Sequence, residues 1–129
     1  MMESAAPQRI LVVEDDPDIA YMVRETLRDE GYDAESLVDG RALLATVNRL
    51  RPDLILLDVV MPFADVRHQL AQLRVLQETR HVPVILVTGD TDTACNLASD
   101  EPVVGVALKP FNLDDLLAKI AKAVGPAGH

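Results

Sequence analysis

The chain has 129 residues, 49% of them hydrophobic, which is enough for one domain with its own core. Its net charge of −9 argues against nucleic acid or an anionic membrane as a direct partner, because both need Lys and Arg to neutralise phosphates. No apolar run approaches the roughly 18 residues that span a bilayer, and a single cysteine, Cys95, excludes an internal disulfide and suits a reducing compartment, so a cytoplasmic location is expected.

Residues 1–8 lack the basic flank and apolar centre of a secretory signal and read as a disordered leader. Arg9 to Val13 is a β-branched run, predicted as a buried strand. Pro17 suits the first turn of a helix and Asp16 its N-cap, so a helix is expected over 17–30, with Gly31 as its stop. A more polar strand follows over 32–38, then a turn at Asp39-Gly40. A second helix is predicted over 41–50, ended by Arg51-Pro52. Residues 53–58 are an apolar run ending in Asp58, the pattern of a central parallel strand buried on both faces. Residues 59–62 read as a loop, and 64–78 as a third helix. A fourth strand is expected over 81–87, with Pro83 at its start, where a missing N–H is tolerated. Residues 89–101 are the weakest stretch, with a poorly apolar helix over 91–99. A fifth strand spans 103–108. Asn112 caps a last helix over 113–124, whose Leu113, Leu116, Leu117, Ile120 and Val124 share one face. Residues 125–129 read as a flexible tail.

Helices alternating with apolar strands imply one α/β domain over 9–124. Its sheet is parallel and covered on both faces, because each return crossover needs a helix. The core is aliphatic, since the aromatic residues are only Tyr21, Tyr32, Phe63 and Phe111.

Ligands of an open parallel sheet bind beyond the carboxyl ends of its strands. Strand one is followed there by Glu14, Asp15 and Asp16, strand three ends in Asp58, strand four is followed by Thr88 and strand five by Lys109. Clustered carboxylates repel unless a cation joins them, and oxygen-only ligands suit Mg²⁺ with phosphate as co-ligand. A phosphoryl group would partner the Lys109 ammonium and the Thr88 hydroxyl, and Asp58 could act as nucleophile to give an aspartyl phosphate. Asp16 is read as both cap and ligand, and Glu14 as a bystander. His68, His81 and His129 show no metal-ligand spacing, and Cys95 reads as a half-buried helix residue.

Four segments in order carry a resemblance: residues 10–16, Leu54 to Pro62, Val84 to Gly89, and Leu108-Lys109-Pro110-Phe111. Over about residues 8–124 the chain resembles a response-regulator receiver domain. The resemblance implies a flavodoxin-like (βα)5 fold with strand order 2-1-3-4-5. It implies that Asp58 accepts phosphate from a histidine kinase or a histidine phosphotransfer protein. Asp15, Asp16, Asp58 and the backbone carbonyl of Val60 would bind Mg²⁺, Thr88 and Lys109 would contact the phosphoryl group, and a cis bond would precede Pro110. Such a chain catalyses only its own phosphorylation and dephosphorylation. It signals to a downstream protein target or fused output domain, and a homodimer stays open. The alternative is a receiver-fold binding module that works without phosphate. An aspartyl phosphatase or phosphotransferase would want a second Asp where Val60 stands, and a flavin protein would want a Ser, Thr and Gly-rich loop after strand one. The chain departs from the family at Val106, where Tyr or Phe is common, at Val66 in place of glycine, and at Phe63 in place of a small residue.

Overall fold

In a computed structural model of the chain, residues 7–59, 65–77, 79–97 and 102–126 are described. The strands are β1 (Arg9–Val13), β2 (Asp33–Leu37), β3 (Leu54–Asp58), β4 (Val84–Thr88) and β5 (Val103–Leu108). The helices are α1 (Pro17–Asp29), α2 (Leu43–Leu50), α3 (Val66–Val75), α4 (Thr91–Leu97) and α5 (Leu113–Val124), with a 3-10 turn at Gly40–Ala42 before α2. All strand pairs are parallel, in the order β2-β1-β3-β4-β5. The predicted fold class and strand order are therefore those observed. Val60 to Ala64, including Phe63, lie outside the described residues, as do most of the leader and tail.

Side-chain alternation along the strands divides the core in two. Leu11, Val13, Ile55, Leu57, Val84 and Leu86 pack toward Leu43, Val47, Leu70, Leu73 and Leu97 of α2, α3 and α4. Ile10, Val12, Leu54, Leu56, Ile85 and Val87 pack toward Val23, Leu27, Leu116 and Ile120 of α1 and α5. β3 and β4 are buried at every position, so their unbroken apolar runs have no polar face to spare.

Local chemistry sets the element ends. The Asp16 carboxylate accepts from the N–H groups of Asp18 and Ile19, with Pro17 at the first helical position. Gly31 follows α1 at φ 102°, a left-handed conformation that favours glycine. Asn112 accepts from the N–H groups of Asp114 and Asp115 to start α5. Asn112→Ala is expected to lower unfolding free energy by about 1 kcal/mol, read as a lower urea midpoint with an unchanged slope. Val66 begins α3 from a buried position behind the Asp65 cap and fills the core between the sheet and α3. α4 is a seven-residue helix anchored by fully buried Leu97.

Candidate functional site

The site forms where β1, β3 and β5 end. The β1–β3 register pairs Val13 with Leu57, so Glu14 and Asp58 come next, side by side. Glu14 continues the β1–β2 ladder, its N–H donating to the Leu37 carbonyl at 3.0 Å. Alternation then aims Glu14 to the same side as Ile10 and Val12, and Asp58 to the same side as Leu54 and Leu56. Lys109 stands two residues beyond Ala107, which packs on that side too. The three side chains meet. The Lys109 ammonium donates to Glu14 Oε1 at 3.0 Å and to Asp58 Oδ2 at 3.3 Å. Both carboxylates are about 4% exposed, and the ammonium between them offsets the cost of burying their charges.

Burial disfavours the Lys109 charge, but its hydrogen bond to Glu14 and the nearby Asp58 charge outweigh it and raise its pKa above the ordinary lysine value. A raised lysine pKa contributes stability that is complete below the unfolded value and is lost only as pH rises through the folded one. The stability that Lys109 contributes through its raised pKa therefore does not change through neutral pH.

Oxygen atoms of Glu14, Asp15 and Asp58 all lie within 4.8 Å of one another. This oxygen-only, acidic donor set fits a hard divalent cation. Asp16 is not in the group. Its carboxylate caps α1 in solvent, and its N–H donates to Glu14 Oε2 at 3.2 Å. Of the two roles expected of Asp16, the geometry displays the cap, with the carboxylate turned to the first N–H groups of α1. Glu14, read as a bystander, occupies the centre of the cluster instead. Strand alternation was the signal that could have found it. The Val60 carbonyl lies outside the described residues.

Thr88 ends β4, fully buried, and its hydroxyl accepts from the Asp90 N–H at 3.0 Å. Its carbonyl accepts from the Lys109 N–H at 2.8 Å, which ties the end of β4 to the start of the lysine loop. The Lys109–Pro110 bond is cis. Val106 is half-buried against the core on the α2–α4 side.

If Asp16 acts only as a cap, Asp16→Ala should cost about 1 kcal/mol of stability and leave Mg²⁺ affinity unchanged. Asp15→Asn should weaken Mg²⁺ binding with little effect on stability. Calorimetric Mg²⁺ titration beside urea unfolding separates the two roles.

A family model described as "Response regulator receiver domain" matches residues 10–121. The DNA-binding response regulator MtrA of Mycolicibacterium smegmatis is 39% identical over 114 residues, covering 88% of this chain and 49% of that protein. The DNA-binding dual master transcriptional regulator RpaA of Synechocystis is 33% identical, covering 87% of this chain and 47% of that one. The chain thus spans about half the length of these curated relatives. Among solved structures, the chemotaxis response regulator CheY4 of Vibrio cholerae is similar at TM-score 0.82 and 30% identity, over 90% of this chain and 98% of that one. The receiver domain of the sensor histidine kinase PA1611 of Pseudomonas aeruginosa, described with a magnesium ion coordinated in its active-site cleft, has TM-score 0.83 and 27% identity. That match covers 93% of this chain and 99% of the other.

Proposed function

This chain belongs to the response-regulator receiver domain family, and we propose that Asp58 accepts a phosphoryl group from the phosphohistidine of a kinase or phosphotransfer protein. One observation carries this reading: a buried carboxylate at a strand end, bonded to a lysine that a second buried carboxylate also holds. An Asp58 oxygen attacks phosphorus, the N–P bond breaks, and the electron pair stays on the departing imidazole nitrogen. The product is an acyl phosphate on Asp58. Lys109 supplies a fixed positive charge for the phosphoryl oxygens. Thr88 accepts from Asp90, which leaves its hydroxyl proton to be donated to one of those oxygens.

Asp15 and Asp58, with Glu14 beside them, would hold Mg²⁺. When bound, it neutralises charge on the phosphoryl oxygens. Glu14 has both oxygens engaged, by Lys109 and by the Asp16 N–H, and so holds the lysine in place. The chain would catalyse its own phosphorylation and dephosphorylation and turn over no separate substrate.

Signalling would pass through protein contact. Half-buried Val106 offers no aromatic ring to swing inward, so the change at Thr88 would reach α4 and β5 by another route. Acetyl phosphate or beryllofluoride with Mg²⁺ should change the amide spectra of the chain. If the unsubstituted protein responds no more than Asp58→Asn does, the phosphoacceptor reading fails and the phosphate-independent module takes its place.

Among the described residues no helix is long and apolar enough to cross a membrane.

A further inference from the structure

A cavity of about 290 Å³ opens at the end of the sheet opposite Asp58, between the end of α2 and the residues that lead into β3 and β4. Asp53 lines it and precedes β3, so the strand separates it from Asp58 by roughly 16 Å, at about 3.3 Å per residue. Val47, Pro52 and Val82 are its buried apolar lining. Asn48, Arg51, Asp53 and His81 are its exposed polar lining.

The walls are fixed by their own hydrogen bonds. The Thr79 hydroxyl, also in the lining, donates to the Leu73 carbonyl at 2.7 Å, and the Val82 N–H donates to the Thr79 carbonyl at 3.0 Å. The Asp53 N–H donates to the Arg9 carbonyl at 2.7 Å, and Pro52 and Pro83 restrict the backbone that enters each strand. A cavity with ordered walls costs a ligand little reorganisation.

Arg51 sets the chemistry of the cavity. After α1 the left-handed residue is Gly31, at φ 102°, but after α2 it is Arg51, at φ 52°. Glycine is the least strained residue in that conformation, so α2 ends in a long cation where its backbone does not favour a side chain. The Arg51 N–H donates to the Val47 carbonyl at 2.9 Å, which anchors the base of the side chain at the cavity. Among the described residues Arg51 and His81 enter no salt bridge, although Asp53 lines the same cavity. Asp53 is engaged elsewhere, its Oδ2 accepting from the Arg9 N–H at 2.8 Å.

We infer that this cavity binds a small phosphate monoester carried on a polar ring, the class of nucleoside monophosphates and sugar phosphates. The Arg51 guanidinium would take two phosphate oxygens as a fork, and the His81 imidazole would donate to a third. The second Asp53 oxygen and the Asn48 amide would accept from ring hydroxyl or amino groups, while Val47, Pro52 and Val82 cover the apolar face of the ring. Asp53 selects against a bare anion, because only a ligand with donors of its own answers that carboxylate. Ligand cavities run from about 300 to 1,000 Å³, so this one suits a single ring with its phosphate and not a dinucleotide. Binding at this end of the sheet does not depend on phosphoryl chemistry at Asp58.

The test titrates the full chain with adenosine monophosphate, a pentose monophosphate, adenosine and inorganic phosphate. EDTA replaces Mg²⁺, so that Glu14, Asp15 and Asp58 repel every anion from the other end of the sheet. At least one ester should shift the amide resonances of residues 47–53 and 79–83 and leave those of 13–15, 58 and 109 in place. Calorimetry should show that ester binding about tenfold or more tighter than inorganic phosphate or adenosine. The better of the two esters tells a nucleotide from a sugar phosphate. Arg51→Gly should weaken ester binding about tenfold or more, while its urea midpoint stays level or rises because glycine relieves the left-handed backbone. His81→Ala, at an exposed residue, should weaken binding severalfold and keeps the inference testable if glycine loosens the end of α2. Asp58→Asn should bind as the unsubstituted chain does. Unmoved resonances at 47–53 and 79–83, equal affinity for inorganic phosphate or adenosine, or undiminished binding by Arg51→Gly and His81→Ala overturns the inference.

Discussion

Asp58→Asn is expected to take up no phosphoryl group from acetyl phosphate and Mg²⁺, while the unsubstituted chain should gain one, read by intact-protein mass spectrometry and removable by hydroxylamine. The loss is complete because an amide oxygen cannot form a stable acyl phosphate. The fold should survive it. The substituting amide has nearly the shape of the native carboxylate, and its carbonyl oxygen can still accept from Lys109, 3.3 Å from Asp58 Oδ2 in the native protein. One of three clustered carboxylates is also neutralised, which relieves repulsion between Glu14, Asp15 and position 58. Unfolding free energy is therefore expected within about 1 kcal/mol of the native chain. A variant that still incorporates phosphate would move the nucleophile to another carboxylate, Asp15 first, as the exposed acid of the cluster.

The sequence carried the architecture because each central strand is apolar on both faces and each helix has a distinct first residue. β1, β5 and α5 begin and end where their runs and caps predict. Boundaries slipped where burial and ladder pairing part company. Val82 is buried, yet its N–H donates to the Thr79 carbonyl in a turn, so β4 starts at Val84 and not at His81. Asp39 caps a 3-10 turn, which delays α2 to Leu43. Asp65 caps α3, and the side chain of Thr79 closes its far end by donating to the Leu73 carbonyl, so the helix is shorter than its apolar spacing suggests. In β5 two residues face one: Val84 pairs with Val103 and Ile85 with Gly105, so Val104 bulges outward at 57% exposure. Nothing in an apolar run marks which residue a bulge will eject.

The acidic cluster was legible in composition, but which of the acids after β1 enter it was not. Three acids follow β1, and proximity in sequence treats them alike. The fold does not, because Glu14 still belongs to the β1–β2 ladder and Asp16 already belongs to α1. A residue cannot hold strand alternation toward Asp58 while its side chain caps the next helix. The acids that gather with Asp58 are therefore the last ladder residue and the one after it.

Lys109→Ala should be the most damaging single change at the site that leaves the nucleophile in place. Glu14 and Asp58 are about 4% exposed and share one ammonium. Removing that ammonium takes a cation from two adjacent buried carboxylates, and the cost is their mutual repulsion plus lost charge-assisted hydrogen bonds. Complete burial of such a defect costs about 3–5 kcal/mol, but Lys109 is 28% exposed and water can enter the gap, so about 1–3 kcal/mol is expected. Mg²⁺ should restore most of this stability, because a divalent cation among the same oxygens answers the same repulsion. Phosphoryl transfer should stay depressed about 100-fold in saturating Mg²⁺, since charge placed at the carboxylates does not replace an ammonium reaching the phosphoryl oxygens. Urea unfolding with and without Mg²⁺, beside acetyl phosphate labelling, reads both quantities. Recovery of stability without recovery of labelling assigns Lys109 to the transferred group as well as to the fold. Recovery of both would reduce it to a counter-ion that any cation can replace.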